Sequence, residues 1–343
     1  MNFSKNLINW YSVNKRSLPW RETSDPYFIW LSEIILQQTQ VKQGWPYYTA
    51  FTTKFPTVFD LAAAKEDAVL NLWQGLGYYS RARNLHFSAK YIVEELHGVF
   101  PSTYNDIKKL KGVGDYTASA IASICYNEKT AVVDGNVYRV LARVFGIDTP
   151  INSTNGIKAF KLLAQELLDK KQPATFNQAI MDYGSQVCKP KQPLCTNCIF
   201  NKTCSAFNTN KVGDLPVKLK KTKITTKYFN FLVIINDDNI ALEKRIGKGI
   251  WQNLYQFPLY DSLAEVDVLE VSSYLKNELK LEDFELSLYN NLPIVHKLSH
   301  QHLQTKFWIV NTTNKIENSI KIHELNNFPV PVLIENFIKA FNF

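Results

Sequence analysis

Four of the chain's five cysteines stand together as Cys188-x6-Cys195-x2-Cys198-x5-Cys204, and no other feature narrows the possible folds as much. Four thiolates at this spacing can converge on one centre, and zinc and iron–sulfur clusters both accept four cysteines. Structural zinc usually pairs two Cys-x2-Cys knuckles, and only one is present here. With all four positions used as ligands, the centre has no open catalytic position. Lys189, Lys191 and Lys202 flank the ligands, so the loop can present positive charge to a phosphate backbone. Cys125 lies far upstream in the apolar run Ala120-Ile-Ala-Ser-Ile-Cys125 and is expected to be a buried structural thiol.

The start of the chain, Met1 to Arg21, mixes charges with Trp10, Trp20 and a proline. It lacks the apolar core and small-residue cleavage site of a signal peptide, and no apolar stretch is long enough to span a bilayer. A cytoplasmic chain is therefore expected, in which a disulfide framework is disfavoured. The formal net charge of +8 suits a polyanionic partner such as nucleic acid, although many Lys-rich proteins are merely soluble.

Length suffices for two domains, and the texture divides accordingly. Residues 1–205 read as mostly helical. Asp25-Pro26 is a helix start, Tyr27 to Val41 continues it, and further helical patterns cover roughly 57–72, 79–96, 115–125, 135–145, 155–169 and 174–187. Residues 206–227 lack apolar periodicity and carry Lys211, Lys218, Lys220, Lys221, Lys223 and Lys227, a linker that is either a solvated charge run or a basic tether. Residues 228–343 form an α+β domain: strands at Tyr228 to Ile235, Ile240 to Arg245, 284–290 and 302–311, with helices near 264–279 and 332–341.

Two segments carry chemistry in the helical part. In Leu110-Lys-Gly112-Val-Gly114-Asp-Tyr116-Thr-Ala118, two glycines permit a tight turn between helices, and the amides opening the second helix can hold a phosphate without reading sequence. Downstream, in Val132-Val-Asp134-Gly-Asn136-Val-Tyr-Arg139-Val140, Asp134 suits a helix cap.

Hairpin, aspartate and cysteine loop, in this order, resemble the endonuclease III (helix-hairpin-helix) superfamily of DNA glycosylases. The resemblance implies a four-iron four-sulfur cluster on Cys188, Cys195, Cys198 and Cys204, and a catalytic role for Asp134. Within the superfamily the chain is most similar to the adenine DNA glycosylases of the MutY type. Trp30-Leu-Ser-Glu33-Ile-Ile-Leu-Gln37-Gln38-Thr-Gln40-Val resembles that family's helix with the catalytic glutamate, and Glu33, Gln37 and Gln40 would form one polar stripe. An exposed helix face is the usual fate of such a stripe, but the bulky flanks favour a half-buried Glu33 with a raised pKa, suited to a general acid. Tyr116 stands where bifunctional members carry a lysine, and a phenol cannot form the Schiff base that leads to strand cleavage. Trp73-Gln-Gly-Leu-Gly-Tyr78-Tyr79-Ser-Arg81 resembles the segment that wedges into the duplex, with Tyr78 and Gln38 filling the space beside the lesion.

Gly249-Ile-Trp251-Gln-Asn-Leu-Tyr-Gln-Phe257-Pro258 and Leu298-Ser299-His300 resemble the family's Nudix-like domain that reads 8-oxoguanine, with Leu298 where a phenylalanine is common. No glutamate-rich Nudix motif follows Pro258, so nucleotide pyrophosphohydrolysis and its Mg²⁺ site are not expected. The resemblance thus implies a helical glycosylase core with a cluster loop, plus a C-terminal α+β Nudix-like domain. The implied activity is monofunctional removal of adenine from A:8-oxoguanine or A:G mispairs in double-stranded DNA, by a monomer without membrane attachment. Glu33 would protonate the base, Asp134 would stabilise the cationic sugar, and Tyr116 and Asn136 would hold Asp134 or the sugar. Arg21 is a further pocket candidate, Gly112 and Gly114 would face phosphate, and Ser299 and His300 the oxidised guanine. A thymine-mismatch glycosylase of the same superfamily and a non-catalytic DNA-binding protein are the rival expectations.

Overall fold

A computed structural model describes residues 2–219 and 224–343, and the chain divides into two compact units. The first comprises Met1–Ala63 and Asn84–Lys220, the second Ala64–Arg83 and Lys221–Phe343. Of the expected linker, Lys220, Lys221 and Lys223 lie outside the described residues.

Helices run in the order α1 (Phe3–Asn14), α2 (Pro26–Ile35), α3 (Val41–Lys54), α4 (Val58–Ala63), α5 (Glu66–Leu72), α6 (Ser80–Glu94), α7 (Tyr104–Ile107), α8 (Asp115–Tyr126), α9 (Gly135–Phe145), α10 (Thr154–Leu167), α11 (Pro173–Gln186) and α12 (Ser205–Asn208). Several termini follow local chemistry. The Asp25 carboxylate accepts from the Tyr27 N–H at 2.8 Å and Pro26 occupies the first turn. Gly146 ends α9 with φ +69, where an added Cβ would come within 2.3 Å of Ser205 Oγ.

The structure departs from expectation at α2. That helix stops at Ile35 instead of running to Val41, so Gln37 and Gln40 do not continue the stripe begun by Glu33. Gln38 takes φ +56 in the turn that follows, and α3 starts afresh at Val41. Gly44 and Pro46 inside α3 hid its helical pattern, just as the break between α4 and α5 splits the expected 57–72 helix. Residues 205–219 are packed chain: Ala206 and Leu215 belong to the core, and the Ile151 N–H donates to the Val217 carbonyl at 3.0 Å.

The core of the first unit lies where α1, α9, α10 and α11 meet. Phe3 stacks on Phe200 with centroids 4.8 Å apart, Trp10 meets Tyr183 edge-on at 4.9 Å, and Tyr138 meets Phe160 at 5.1 Å. Such pairs add to the burial of large apolar areas.

The second unit adds β1 (Thr225–Asn236), β2 (Asn239–Ala241), β3 (Glu243–Lys244), β4 (Tyr255–Gln256), β5 (Leu259–Ser262), α13 (Val268–Asn277), β6 (Phe284–Leu288), β7 (Ile294–Lys297), β8 (Gln301–Thr312), β9 (Ser319–Lys321) and α14 (Val332–Ala340). Its main sheet runs β6-β8-β1-β2-β9, with β5 also on β1 and β7 also on β8. β1 and β8 are parallel from Thr225 opposite Gln301 to Ile235 opposite Asn311, and both are buried through their middles. Leu232, Ile234, Val271, Leu275, Trp308 and Val310 fill one face, and Phe231, Phe307 and Phe337 stack in sequence at 5.4 and 4.2 Å. Short β4, β5, β7 and β9 carry too few residues for a clear strand signal and are held by pairing.

Phe160 is fully buried in the first core. Phe160→Ala is expected to cost about 3–5 kcal/mol of unfolding free energy, read from urea titration by tryptophan fluorescence. A loss well below that range would mean α10 contributes little to the core.

Candidate active site

Glu33, Tyr116, Asp134, Asn136 and Arg21 line one cavity of about 500 Å³ in the first unit. Four segments bring them there: α2 supplies Glu33, the hairpin helix α8 supplies Tyr116, the start of α9 supplies Asp134 and Asn136, and the turn at Pro19–Arg21 supplies Arg21. The far wall comes from α11 through Gln178, Met181 and Ser185.

Asp134 caps α9. Its Oδ1 accepts from the N–H groups of Asn136 and Val137 at 2.9 and 2.8 Å, and its Oδ2 accepts from Asn136 Nδ2 at 2.7 Å. Burial raises its pKa, and these donors work in the opposite direction by favouring the carboxylate. Glu33 has no such set of donors. Burial pushes its pKa up to about 7, opposed by a hydrogen bond from Tyr116 and reinforced by the negative charge of Asp134. The Tyr116 phenol itself is pushed well up by burial and by the two neighbouring carboxylates. The two acids of one cavity thus differ in their hydrogen bonding: a helix terminus and Asn136 supply donors to Asp134, whereas burial outweighs the single Tyr116 hydrogen bond at Glu33.

Arg21 reaches the cavity from a fixed base. Its Nη1 and Nη2 donate to the two carboxylate oxygens of Asp182 at 2.7 and 2.8 Å, and Arg16 Nε donates to the same group at 3.0 Å. The Asp182 side chain is fully buried, and the two guanidinium groups hold its pKa below the usual carboxylate range in spite of that burial.

The residues that sequence reasoning missed are Asp182, Arg16, Gln178, Met181, Ser185 and Arg139. Arg139 is buried and satisfies four acceptors: Asn136 Oδ1 at 2.8 Å, Gly135 O at 3.1 Å, Gly184 O at 2.7 Å and Cys188 O at 2.6 Å. One signal was available: Arg139 lies three residues after Asn136 on the same helix face. The approach of α11 was not legible, although Gly184 permits it; a Cβ there would come within 2.6 Å of Asn136 Cβ.

In the hairpin, Gly112 takes φ +83 and lies so close to Asn84 that a Cβ would come within 2.8 Å of it. Gly114 caps α8 in extended conformation, and an added Cβ would meet only open space, leaving its backbone accessible. Beside it, Lys108, Tyr104 and Lys161 draw the pKa of Asp115 down to about 2.

Cys188, Cys195, Cys198 and Cys204 line one small cavity with Arg143, Tyr183 and Phe207. Arg143 Nη1 donates to Cys188 Sγ at 3.6 Å, the Phe200 N–H donates to Cys198 Sγ at 3.4 Å, and the Tyr183 hydroxyl lies 2.9 Å from Cys198 Sγ. Donors aimed at sulfur suit thiolate ligands. Among the described residues, no three Cys, His, Asp or Glu side chains are grouped around a single-ion site.

Tyr78, Ser299 and His300 line a second cavity, also about 500 Å³, within the other unit, together with Leu76, Arg83, Trp251 and Leu298. Ser299 Oγ lies 3.3 Å from His300 Nδ1. Gln38 is exposed and lines neither cavity.

Residues 31–165 match the family described as HhH-GPD superfamily base excision DNA repair protein, and residues 230–340 match the NUDIX domain family. The adenine DNA glycosylase of Buchnera aphidicola subsp. Baizongia pistaciae is 37% identical over 353 residues, covering 99% of this chain and 97% of that one. The adenine DNA glycosylase of Homo sapiens is 46% identical over 213 residues, 60% of this chain and 39% of that one. Among solved structures, a thermostable thymine-DNA glycosylase aligns with a TM-score of 0.56 and 29% identity, covering 60% of this chain and 95% of its own. A non-covalent endonuclease III–DNA complex aligns at 0.53 and 18% identity over 61% of this chain and 94% of its own, which extends the likeness of fold. No helix among the described residues is long and apolar enough to cross a membrane. With a match along nearly its whole length and both expected domains in place, the chain belongs to the adenine DNA glycosylase family.

Proposed function

We propose that this chain is a monofunctional glycosylase that hydrolyses the N-glycosidic bond of adenine mispaired with 8-oxoguanine or guanine in duplex DNA. The observation that carries the reading is the pairing, in one cavity, of a Glu33 carboxyl with a pKa of about 7 and an Asp134 carboxylate held by three donors. The target nucleotide must leave the stack to reach that cavity, at a cost of about a few kcal/mol that is smaller for a mispair.

Glu33 donates its proton to a ring nitrogen of the extruded adenine, which makes the base a better leaving group. As the bond breaks, positive charge develops on the sugar, and the Asp134 carboxylate stabilises it from a position fixed by the α9 terminus. Water then adds to the anomeric carbon, and the proton it sheds returns to a carboxylate. Asn136 holds Asp134 by its side chain, and Tyr116 orients Glu33. The exposed Gly112–Gly114 turn suits a phosphate contact; Tyr78 and Gln38 would fill the gap left in the duplex, and Ser299 and His300 would meet the opposite base. Cys188, Cys195, Cys198 and Cys204 would hold a four-iron four-sulfur cluster, which with every ligand position filled braces the loop and offers no substrate site.

The thymine-glycosylase alternative has support from one solved structure, but that likeness covers 60% of the chain. The relative from Buchnera aphidicola matches along both units and is an adenine glycosylase.

Single-turnover reactions on duplexes carrying A:8-oxoguanine, A:G, T:G and A:T test the proposal. Adenine release is expected from the first two alone, with alkali needed for strand scission. Glu33→Gln and Asp134→Asn are each expected to slow release at least about a hundredfold. Thymine release would move the chain to the rival class, and no release from protein with its cluster loaded would leave a DNA-binding module.

Glu33 also sets a pH dependence. Its folded pKa of about 7 lies above its ordinary 4.5, so the stability it allows is complete below 4.5 and is lost as pH rises through 7. Glu33→Gln removes that loss and is expected to raise unfolding free energy by up to about 3 kcal/mol at pH 8, with a smaller gain at pH 5. Thermal melts of both proteins at the two pH values check this; a gain independent of pH would show that Glu33 is not held protonated.

A further inference from the structure

The turn that carries Tyr78 is packed within the same unit as the C-terminal domain, and its conformation is held there. At the entry, Lys244 Nζ donates to Asp67 Oδ1 at 2.6 Å, the Tyr255 hydroxyl donates to Asp67 Oδ2 at 3.2 Å, and Asn253 Nδ2 donates to Glu66 Oε1 at 2.6 Å. Where the turn begins, the Val330 N–H donates to Gln74 Oε1 at 3.2 Å. The Tyr79 hydroxyl bridges the two strands of chain: it accepts from the Gly75 N–H at 3.4 Å and donates to the Val330 carbonyl at 3.3 Å. Inside the turn, Trp73 Nε1 and Arg81 Nη2 each donate to the Gly77 carbonyl at 3.1 Å.

These bonds surround a conformation that does not form by itself. Gly75 and Gly77 take φ +92 and +72, and Tyr78 takes φ +47 and is 53% exposed. A tyrosine in left-handed backbone persists only where its surroundings over-determine it. A ring this exposed has little packing of its own to do so, so the restraint must come from its neighbours in the turn.

We propose that Tyr79 is a positioning residue for Tyr78: its hydroxyl, anchored on the Val330 carbonyl, fixes the turn so that the Tyr78 ring meets the duplex already ordered. The C-terminal domain then contributes to base extrusion as well as to recognition of the opposite base, because ordering done beforehand is not charged to the encounter. The inference rests on the proposed glycosylase reading and goes beyond it, in that it assigns a role to a residue that touches neither base.

Tyr79→Phe deletes the bridging oxygen alone. Full-length protein is mixed with an A:8-oxoguanine duplex carrying 2-aminopurine beside the adenine, and both fluorescence and adenine release are followed. Tyr79→Phe is expected to slow both about fivefold, the worth of one ordinary hydrogen bond. In a Tyr78→Ala background it is expected to have no further effect, since coupled residues do not add. An unchanged rate, or equal slowing in both backgrounds, overturns the proposal. Asp67→Lys with Lys244→Asp gives a second arm: Asp67→Lys alone should slow insertion, and the exchange should restore it. Fluorescence reports insertion without bond cleavage, so positioning is tested even if no adenine is released, an outcome that would sink the functional reading alone.

Discussion

Arg139 is the group on which the geometry of the candidate site depends. Its guanidinium is buried, and it donates to the first turn of α9, to the end of α11 and to the carbonyl of Cys188. A buried guanidinium is tolerated only when its protons are spoken for, and a planar fork with five donors meets this arrangement where lysine could not. The bond to Asn136 orients the amide, whose nitrogen then donates to Asp134. One side chain thus ties the capping carboxylate to the segment that opens the cysteine loop. Arg143, one turn further along α9, continues the link to Lys189 O and to Cys188 Sγ.

From that anchor follows the difference in hydrogen bonding between the two carboxyls of the cavity. Asp134 and Glu33 are both half-buried in the cavity wall, and burial acts on each in the same direction. What differs between them is hydrogen-bond supply. A helix terminus offers Asp134 two amides and a side-chain donor, whereas Glu33, projecting from the body of α2, has no terminus within reach. The pair of Arg16 and Arg21 does not cancel the difference, because their charge is largely engaged by Asp182.

The second unit shows the same economy in a different form. Its sheet is centred on two long parallel strands, β1 and β8, and the shorter elements are attached around them. The loop before β8 carries Ser299 and His300, and the turn before α6 carries Tyr78. Both line one cavity because α5 and that turn belong to the same compact unit as the C-terminal domain. Strained backbone at Tyr78 is sustained by this attachment.

Much was written in the chain itself. The cysteine spacing, the Gly112–Gly114 hairpin, the Asp134 cap and the helices from α8 to α11 follow from local rules, because caps, glycine turns and apolar periodicity act over a few residues. The same holds for β1, β8 and α14. What sequence could not decide depends on residues far apart in the chain. The end of α2 at Ile35, with Gln38 in left-handed backbone, has no local signal strong enough to override a continuous apolar stripe. The burial of Asp182 between two arginines, the four acceptors of Arg139 and the transfer of residues 64–83 to the second unit each require segments that only folding brings together. The residue types of the candidate site were legible because chemistry restricts them; the extent of the upward shift at Glu33 was decided by tertiary structure, because burial and the supply of donors are properties of an environment and not of a residue.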